Sequence, residues 1–182
     1  VDGARKVVGV GSVGTRAYIV LLMGRDQSDP LMLQCKEAQQ SVLEPFLGAS
    51  RFSSHGQRVV EGQRILQATS DVLLGWTDTE GFDGVPRSFY IRQLWDNKAS
   101  ADIEGLSSET MRLYAQLCGW TLARAHARSG DPIAISSYLG SGDNFDRAMV
   151  TYADAYADQN ELDYSALKAA VDGGRLHAET GY

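Results

Sequence analysis

The stretch Lys6-Val7-Val8-Gly9-Val10-Gly11-Ser12-Val13-Gly14-Thr15-Arg16-Ala17-Tyr18-Ile19-Val20-Leu21-Leu22 decides the fold. Lys6–Val10 has the composition of a strand, and Gly9, Gly11 and Gly14 follow with the spacing G-x-G-x-x-G. A dinucleotide-binding domain places a helix directly after such glycines, with its N-terminus on the pyrophosphate. Here the residues from Thr15 to Leu22 are β-branched, aromatic and aliphatic, which predicts a second strand. Strand, glycine loop and strand together make a hairpin whose backbone N–H groups can approach phosphates. A dinucleotide oxidoreductase is ruled out wherever residues 15–22 form a strand.

Outside this hairpin the composition sets limits. The 182 residues carry a net charge of −6, which argues against a general nucleic-acid binder and its basic face. No apolar run approaches the roughly 20 residues of a membrane span, and no signal peptide is visible, so the cytoplasm is the default location. Cys35 and Cys118 lie far apart in apolar segments and predict buried thiols in a reducing compartment. The chain opens Val1-Asp2-Gly3, without Met, and enters a strand almost at once. This predicts a fragment of a longer protein lacking an N-terminal portion.

The remaining elements follow in order. Gly24–Pro30 is a polar turn, and Leu31–Lys36 a third strand. Ser41–Leu47 predicts a short helix broken near Pro45 or Gly48, and Gln57–Ser70 a longer one. Gly62 within that helix costs about 1 kcal/mol against Ala, so a packing reason is expected. Asp71–Trp76 and Ser88–Leu94 predict the fourth and fifth strands, with a turn over Thr77–Arg87. Helices then occupy Ser107–Arg128, about Asp143–Asn160 and Asp163–Val171, with a short segment at Ile133–Leu139. The fold class is α+β: an antiparallel five-stranded sheet with one helix at about 57–70, forming a lobe over residues 1–97. A helical region, part of a larger lobe, covers 98–182. The order matches the small ATP-binding lobe of a protein kinase and the first helices of its large lobe.

Candidate site residues fit that order. Alternation on the third strand puts Met32, Gln34 and Lys36 on one face and Leu31, Leu33 and Cys35 on the other. Kinase-like folds carry a lysine there that reaches the nucleotide phosphates, held by a glutamate from the next helix. Lys36 and Glu61 occupy these places, with Gly9, Gly11, Ser12 and Gly14 in the loop. Glu61 also has Arg58 and Arg64 three residues away on either side, which can pair with it on a solvated face. Glu37 and Glu44 are weaker candidates, Glu37 because it points away from Lys36. His126 and Asp131 do not form a kinase catalytic loop: Ser136 stands where a metal-holding Asn is required. His126 predicts a packed helix-end histidine, and Asp143, Asn144 and Asp146 a helix start rather than a metal cluster. The stripe Phe145, Met149, Tyr152, Tyr156 predicts core packing, and His55 lies in a loop without an assigned role.

Several long motifs also resemble a bacterial family, domain of unknown function 2252. They are Lys6–Arg16, Leu33-Gln34-Cys35-Lys36-Glu37-Ala38, His55–Arg64, Asp71–Thr77, Tyr90–Leu94, Cys118–Asp131 and Tyr156-Ala157-Asp158-Gln159-Asn160. The family is similar to the kinase and aminoglycoside-phosphotransferase group, and its members are typically longer. The resemblance implies an upstream half with a Gly-Asp-x-His-x-x-Asn-Phe segment and an Asp-rich segment, which resemble a catalytic loop and Mg²⁺ ligands. This chain would then bind ATP or another nucleoside triphosphate with Mg²⁺. The phosphate acceptor, a small molecule or a protein, would be served by residues on the missing half. The alternative is a non-catalytic, pseudokinase-like binding or regulatory module. Two positions depart from the kinase pattern: Arg16 stands where Val is favoured above the base, and Gln34 where Ala is favoured.

Overall fold

In the computed structural model, residues 2–6, 14–26, 28–81, 83–94 and 100–178 are described. Five strands, β1 (Asp2–Arg5), β2 (Ala17–Met23), β3 (Pro30–Ala38), β4 (Gly75–Glu80) and β5 (Pro86–Gln93), form one antiparallel sheet in the order β1-β2-β3-β5-β4. Between β3 and β4 lie α1 (Glu44–Leu47) and α2 (His55–Leu66). Three helices follow: α3 (Ser108–Ser129), α4 (Pro132–Leu139) and α5 (Asn144–Asp172). The class is mixed α+β with a five-stranded antiparallel sheet, as the sequence predicts. Residues Val1–Asp131 and Pro132–Tyr182 form two compact units, so α3 goes with the sheet.

The strand after the glycines is real: β2 pairs antiparallel with β3 along its whole length, from Ala17↔Lys36 to Met23↔Pro30. Its composition explains this, since an alanine followed by six successive apolar residues, Tyr18 to Met23, fills a pleated central strand well. A helix at this position, and with it the dinucleotide reading, is excluded.

The register sorts side chains by face. Ala17, Lys36, Tyr90 and Trp76 are aligned across β2, β3, β5 and β4 on one face, with Ile19, Gln34 and Arg92 beside them. Tyr18, Cys35 and Ile91 align on the other, next to Glu37, Phe89 and Thr77. Helix α2 packs on the first face. Ser54 caps it, its Oγ accepting from the Gln57 N–H (3.3 Å) and donating to Asp78 Oδ1 of β4 (2.8 Å). Val60 of α2 is wholly buried. Gly56 lies so close to β5 that an added Cβ would stand 2.5 Å from the Phe89 carbonyl oxygen. Helix α3 begins at a Ser107 cap and meets α2 where Arg128 Nε donates to the Ile65 carbonyl (2.9 Å).

Several sequence expectations are corrected. The first strand lies at Asp2–Arg5, before the predicted Lys6–Val10, of which 7–10 fall outside the described residues. Asp71–Leu74 is a turn, because the Asp71 carboxylate accepts the Leu73 N–H (2.8 Å) and the Gln93 N–H (2.7 Å). The fourth strand consequently starts at Gly75 and takes in Thr77–Glu80 from the predicted turn. Helix α2 starts earlier, at His55, and stops at Leu66. The short helix α1 starts at Glu44, not Ser41; Pro45 sits in its first turn, and Gly48, the other expected breaker, ends it. Ile133–Leu139 is helical, opened by Pro132 and closed by Gly140 at φ +73°. The two predicted final helices are one, because no Gly or Pro interrupts 144–172; it ends at Gly173-Gly174. Tyr152 and Tyr156 stack at 5.6 Å on an exposed surface instead of in a core, and His126 and Cys118 are exposed too. The packing reason expected for Gly62 is absent: an added Cβ there meets nothing within 4 Å.

Candidate functional site

Lys36 sits near the end of the central strand β3, half-buried, directly across from Ala17 on one side and Tyr90 on the other. Ala17 is the first residue of the strand that leaves the glycine loop, and it is buried. Gly14 has φ +82°, a conformation that L side chains rarely adopt, and open space surrounds the position a Cβ would take. Gly9, Gly11 and Ser12 lie outside the described residues. Burial pushes the Tyr90 phenol up, with Arg92 opposing, so beside Lys36 it stays a neutral hydroxyl. Gln34, two residues before Lys36 on the same face, is buried; its Oε1 accepts from Arg92 Nη2 (3.2 Å). The polar residue at this position is thus neutralised by a partner on β5, which meets the cost of burying an amide.

Glu61 lies on α2, which covers the same face, but its ion pair is with Arg64 (2.9 Å). Arg64 also donates to the Leu74 carbonyl (2.9 Å) and lies over the Trp76 ring, 5.9 Å from its centroid. This guanidinium draws Glu61 toward the β4 edge, whereas Lys36 stands two strands away on β3. Glu44 is on α1, hydrogen-bonded by Gln40 (2.9 Å), which lowers its carboxyl's pKa most. Among the described residues no group of three or more His, Cys, Asp or Glu could hold a metal ion. Asp143 and Asn144 are engaged by Arg147 at 3.1 and 2.6 Å.

The opposite face holds what the sequence reading passed over. The Glu37 carboxylate, nearly buried, accepts the backbone N–H of Arg16 (2.9 Å) and lies 3.3 Å from Arg16 Nη1 and 3.7 Å from Arg87 Nε. Both guanidiniums also reach Asp83 in the β4–β5 turn, Arg16 at 3.3 Å. Two carboxylates and two arginines therefore tie the exit of the glycine loop to β3, β5 and that turn. The signal was present: alternation puts Glu37 opposite to Lys36, and Arg16 pairs with it across the ladder. Arg16, which departs from the kinase pattern, is thereby aimed away from the Lys36 face. Next to this network the sheet bears a cavity of about 720 Å³, floored by Tyr18, Val20, Cys35 and Phe89.

Hydrogen bonds from Arg87 hold the Asp83 carboxyl well below the usual carboxylate range, with the Val85 N–H and the Arg87 charge adding to them. Its folded pKa is depressed, so its contribution to stability is complete above the unfolded value of about 3.9 and is lost as pH falls toward the folded value. Asp83→Asn is therefore expected to lower stability by a constant amount from pH 8 to about 4.5. The gap to the parent should close at lower pH. Urea unfolding midpoints across this range check it; a gap unchanged down to the lowest pH would refute the assignment.

Residues 1–170 match the model of a family described as an uncharacterized protein conserved in bacteria (DUF2252). No curated protein and no solved structure matches the chain.

Proposed function

The chain belongs to the DUF2252 family, and we propose that it is the nucleotide-phosphate-binding part of a kinase-like phosphotransferase. The observation that carries this reading is the pairing Ala17↔Lys36. It puts a lysine on the third strand, across from the strand that leaves the glycine loop, on the face covered by the following helix. In this reading the loop amides around Gly9, Gly11, Ser12 and Gly14 approach the phosphates and Lys36 supplies a compact positive charge. Glu61 would leave Arg64 to hold Lys36 once phosphates are present. Among the described residues no group of three or more His, Cys, Asp or Glu could hold a metal ion. In this reading the metal ligands and the catalytic base come from elsewhere in the protein, and this chain binds without turning substrate over.

A Lys36→Ala variant is expected to bind ATP with Mg²⁺ at least about tenfold more weakly, the loss of one charge-assisted contact. Titration calorimetry on parent and variant checks this, and equal affinities would overturn it. The Glu61–Arg64 pair favours a second reading, a non-catalytic module in which that pair is structural. Under it the parent binds no nucleotide, and Glu61→Gln changes stability alone.

A further inference from the structure

We propose that the cavity on the sheet face opposite Lys36 is a second binding site, for a small amphiphilic carboxylate with an aromatic or branched apolar body. This does not depend on the nucleotide reading. The cavity, about 720 Å³, falls within the usual range for small-molecule sites. Its floor is apolar: Tyr18, Val20, Cys35 and Phe89, the two rings tilted by 56° at 6.1 Å. Burial pushes the Cys35 thiol up, so it stays neutral and adds to the apolar floor. A flat or branched hydrocarbon body can lie against this surface and displace water from it.

The charges around the cavity choose the polar end of the ligand. Arg16 and Arg87 are already committed to Glu37 and Asp83. Arg5, from the edge strand β1, also lines the cavity, is exposed, and enters none of the ion pairs among the described residues. Glu80 lines it from β4, at the opposite edge of the sheet. An anion at the β1 end thus meets an uncommitted guanidinium, five donors in a planar fork that suits a carboxylate, while Glu80 lies at the far end. A cation there would face Arg5 unscreened by any paired acid.

The test uses 2-naphthoate, with 2-naphthylmethanol and 2-naphthylmethylamine as neutral and cationic probes of the same body. Amide chemical shifts are followed during titration of the parent and of Arg5→Gln, Val20→Trp and Lys36→Ala. Saturable naphthoate binding is expected, with the largest shifts at Tyr18, Val20, Cys35 and Phe89. Arg5→Gln should weaken it about tenfold while leaving naphthylmethanol unchanged. Val20→Trp should abolish both by filling the floor, and Lys36→Ala should alter neither. If Val20→Trp does not fold, the exposed Arg5→Gln variant still decides the matter. No saturable binding, shifts confined to the Lys36 face, tighter binding of the amine, or indifference of naphthoate to Arg5→Gln would each overturn the proposal.

Discussion

Gly56→Ala is expected to destabilise the protein by about 2 kcal/mol net, although alanine is the better helix former. The propensity gain in a helix interior is about 1 kcal/mol. Against it stands a Cβ placed 2.5 Å from the Phe89 carbonyl oxygen, 3.0 Å from its carbon and 3.1 Å from Trp76 Cβ. Two of these atoms are backbone of the inner strand β5, so no rotamer change relieves the contact. The helix must lift, and lifting it opens the packing around Val60, whose side chain is completely buried. Overpacking of this kind costs about 3 kcal/mol, which outweighs the propensity term. Gly62→Ala, six residues on in the same helix, is the internal control. Its Cβ meets nothing within 4 Å, so the propensity term stands alone and a gain of about 0.5–1 kcal/mol is expected. Urea unfolding of both variants reads the pair. Equal signs would mean that α2 does not lie this close to β5.

These two glycines also show what the sequence could and could not say. Gly56 falls just before the helix predicted over Gln57–Ser70 and Gly62 inside it, yet both stand on α2; the opposite effects expected of them come from the distance to β5, which no local pattern contains. Composition located β2, a continuous apolar run, and β3 and β5, whose aliphatic and aromatic residues cluster at Leu31-Met32-Leu33 and Phe89-Tyr90-Ile91. It misplaced β4, since Gly75-Trp76-Thr77-Asp78-Thr79-Glu80 is an edge strand with exposed polar residues. The more apolar run before it is held in a turn by the Asp71 carboxylate, a tertiary bond to Gln93 that no local pattern contains. Lys36 was legible because alternation fixes its face. Glu61 was legible as a position on α2, and its i,i+3 pairing with Arg64 was one of the two outcomes the local sequence offered; the Arg64 bond to the Leu74 carbonyl, which anchors that pair, lies beyond local pattern.

The helical part illustrates a different limit. The stripe on α5 has helical period, so it was expected to be core, yet period reports only that a face is apolar, not that something covers it. Leu117 and Trp120 on α3 and Tyr152, Tyr156 and Tyr164 on α5 are all more than half exposed. Apolar exposure on this scale differs from the singly scattered exposed residues of an ordinary protein surface. It contrasts with the sheet, where Ala17, Ala38 and Phe89 are buried.

Glu37→Ala is expected to cost about 2 kcal/mol and to loosen the exit of the glycine loop specifically. The carboxylate accepts the Arg16 N–H (2.9 Å), and losing it leaves that part-buried amide unpaired, a penalty of about 1–3 kcal/mol. The arginines do not lose everything, because Asp83 still engages both. The network should therefore relax toward Asp83 instead of collapsing, and Glu37→Ala and Asp83→Asn should be non-additive. Glu37→Gln separates charge from hydrogen bonding: its amide oxygen can still accept the Arg16 N–H, so it should recover more than half of the lost stability. Hydrogen exchange supplies the local readout. The Arg16 amide should exchange faster in Glu37→Ala, while amides in the middle of β2 such as Val20 keep their protection. Uniform loss of protection along β2 would mean that Glu37 supports the sheet as a whole. Unchanged exchange at Arg16 would mean that the loop exit is held by the ladder bonds alone.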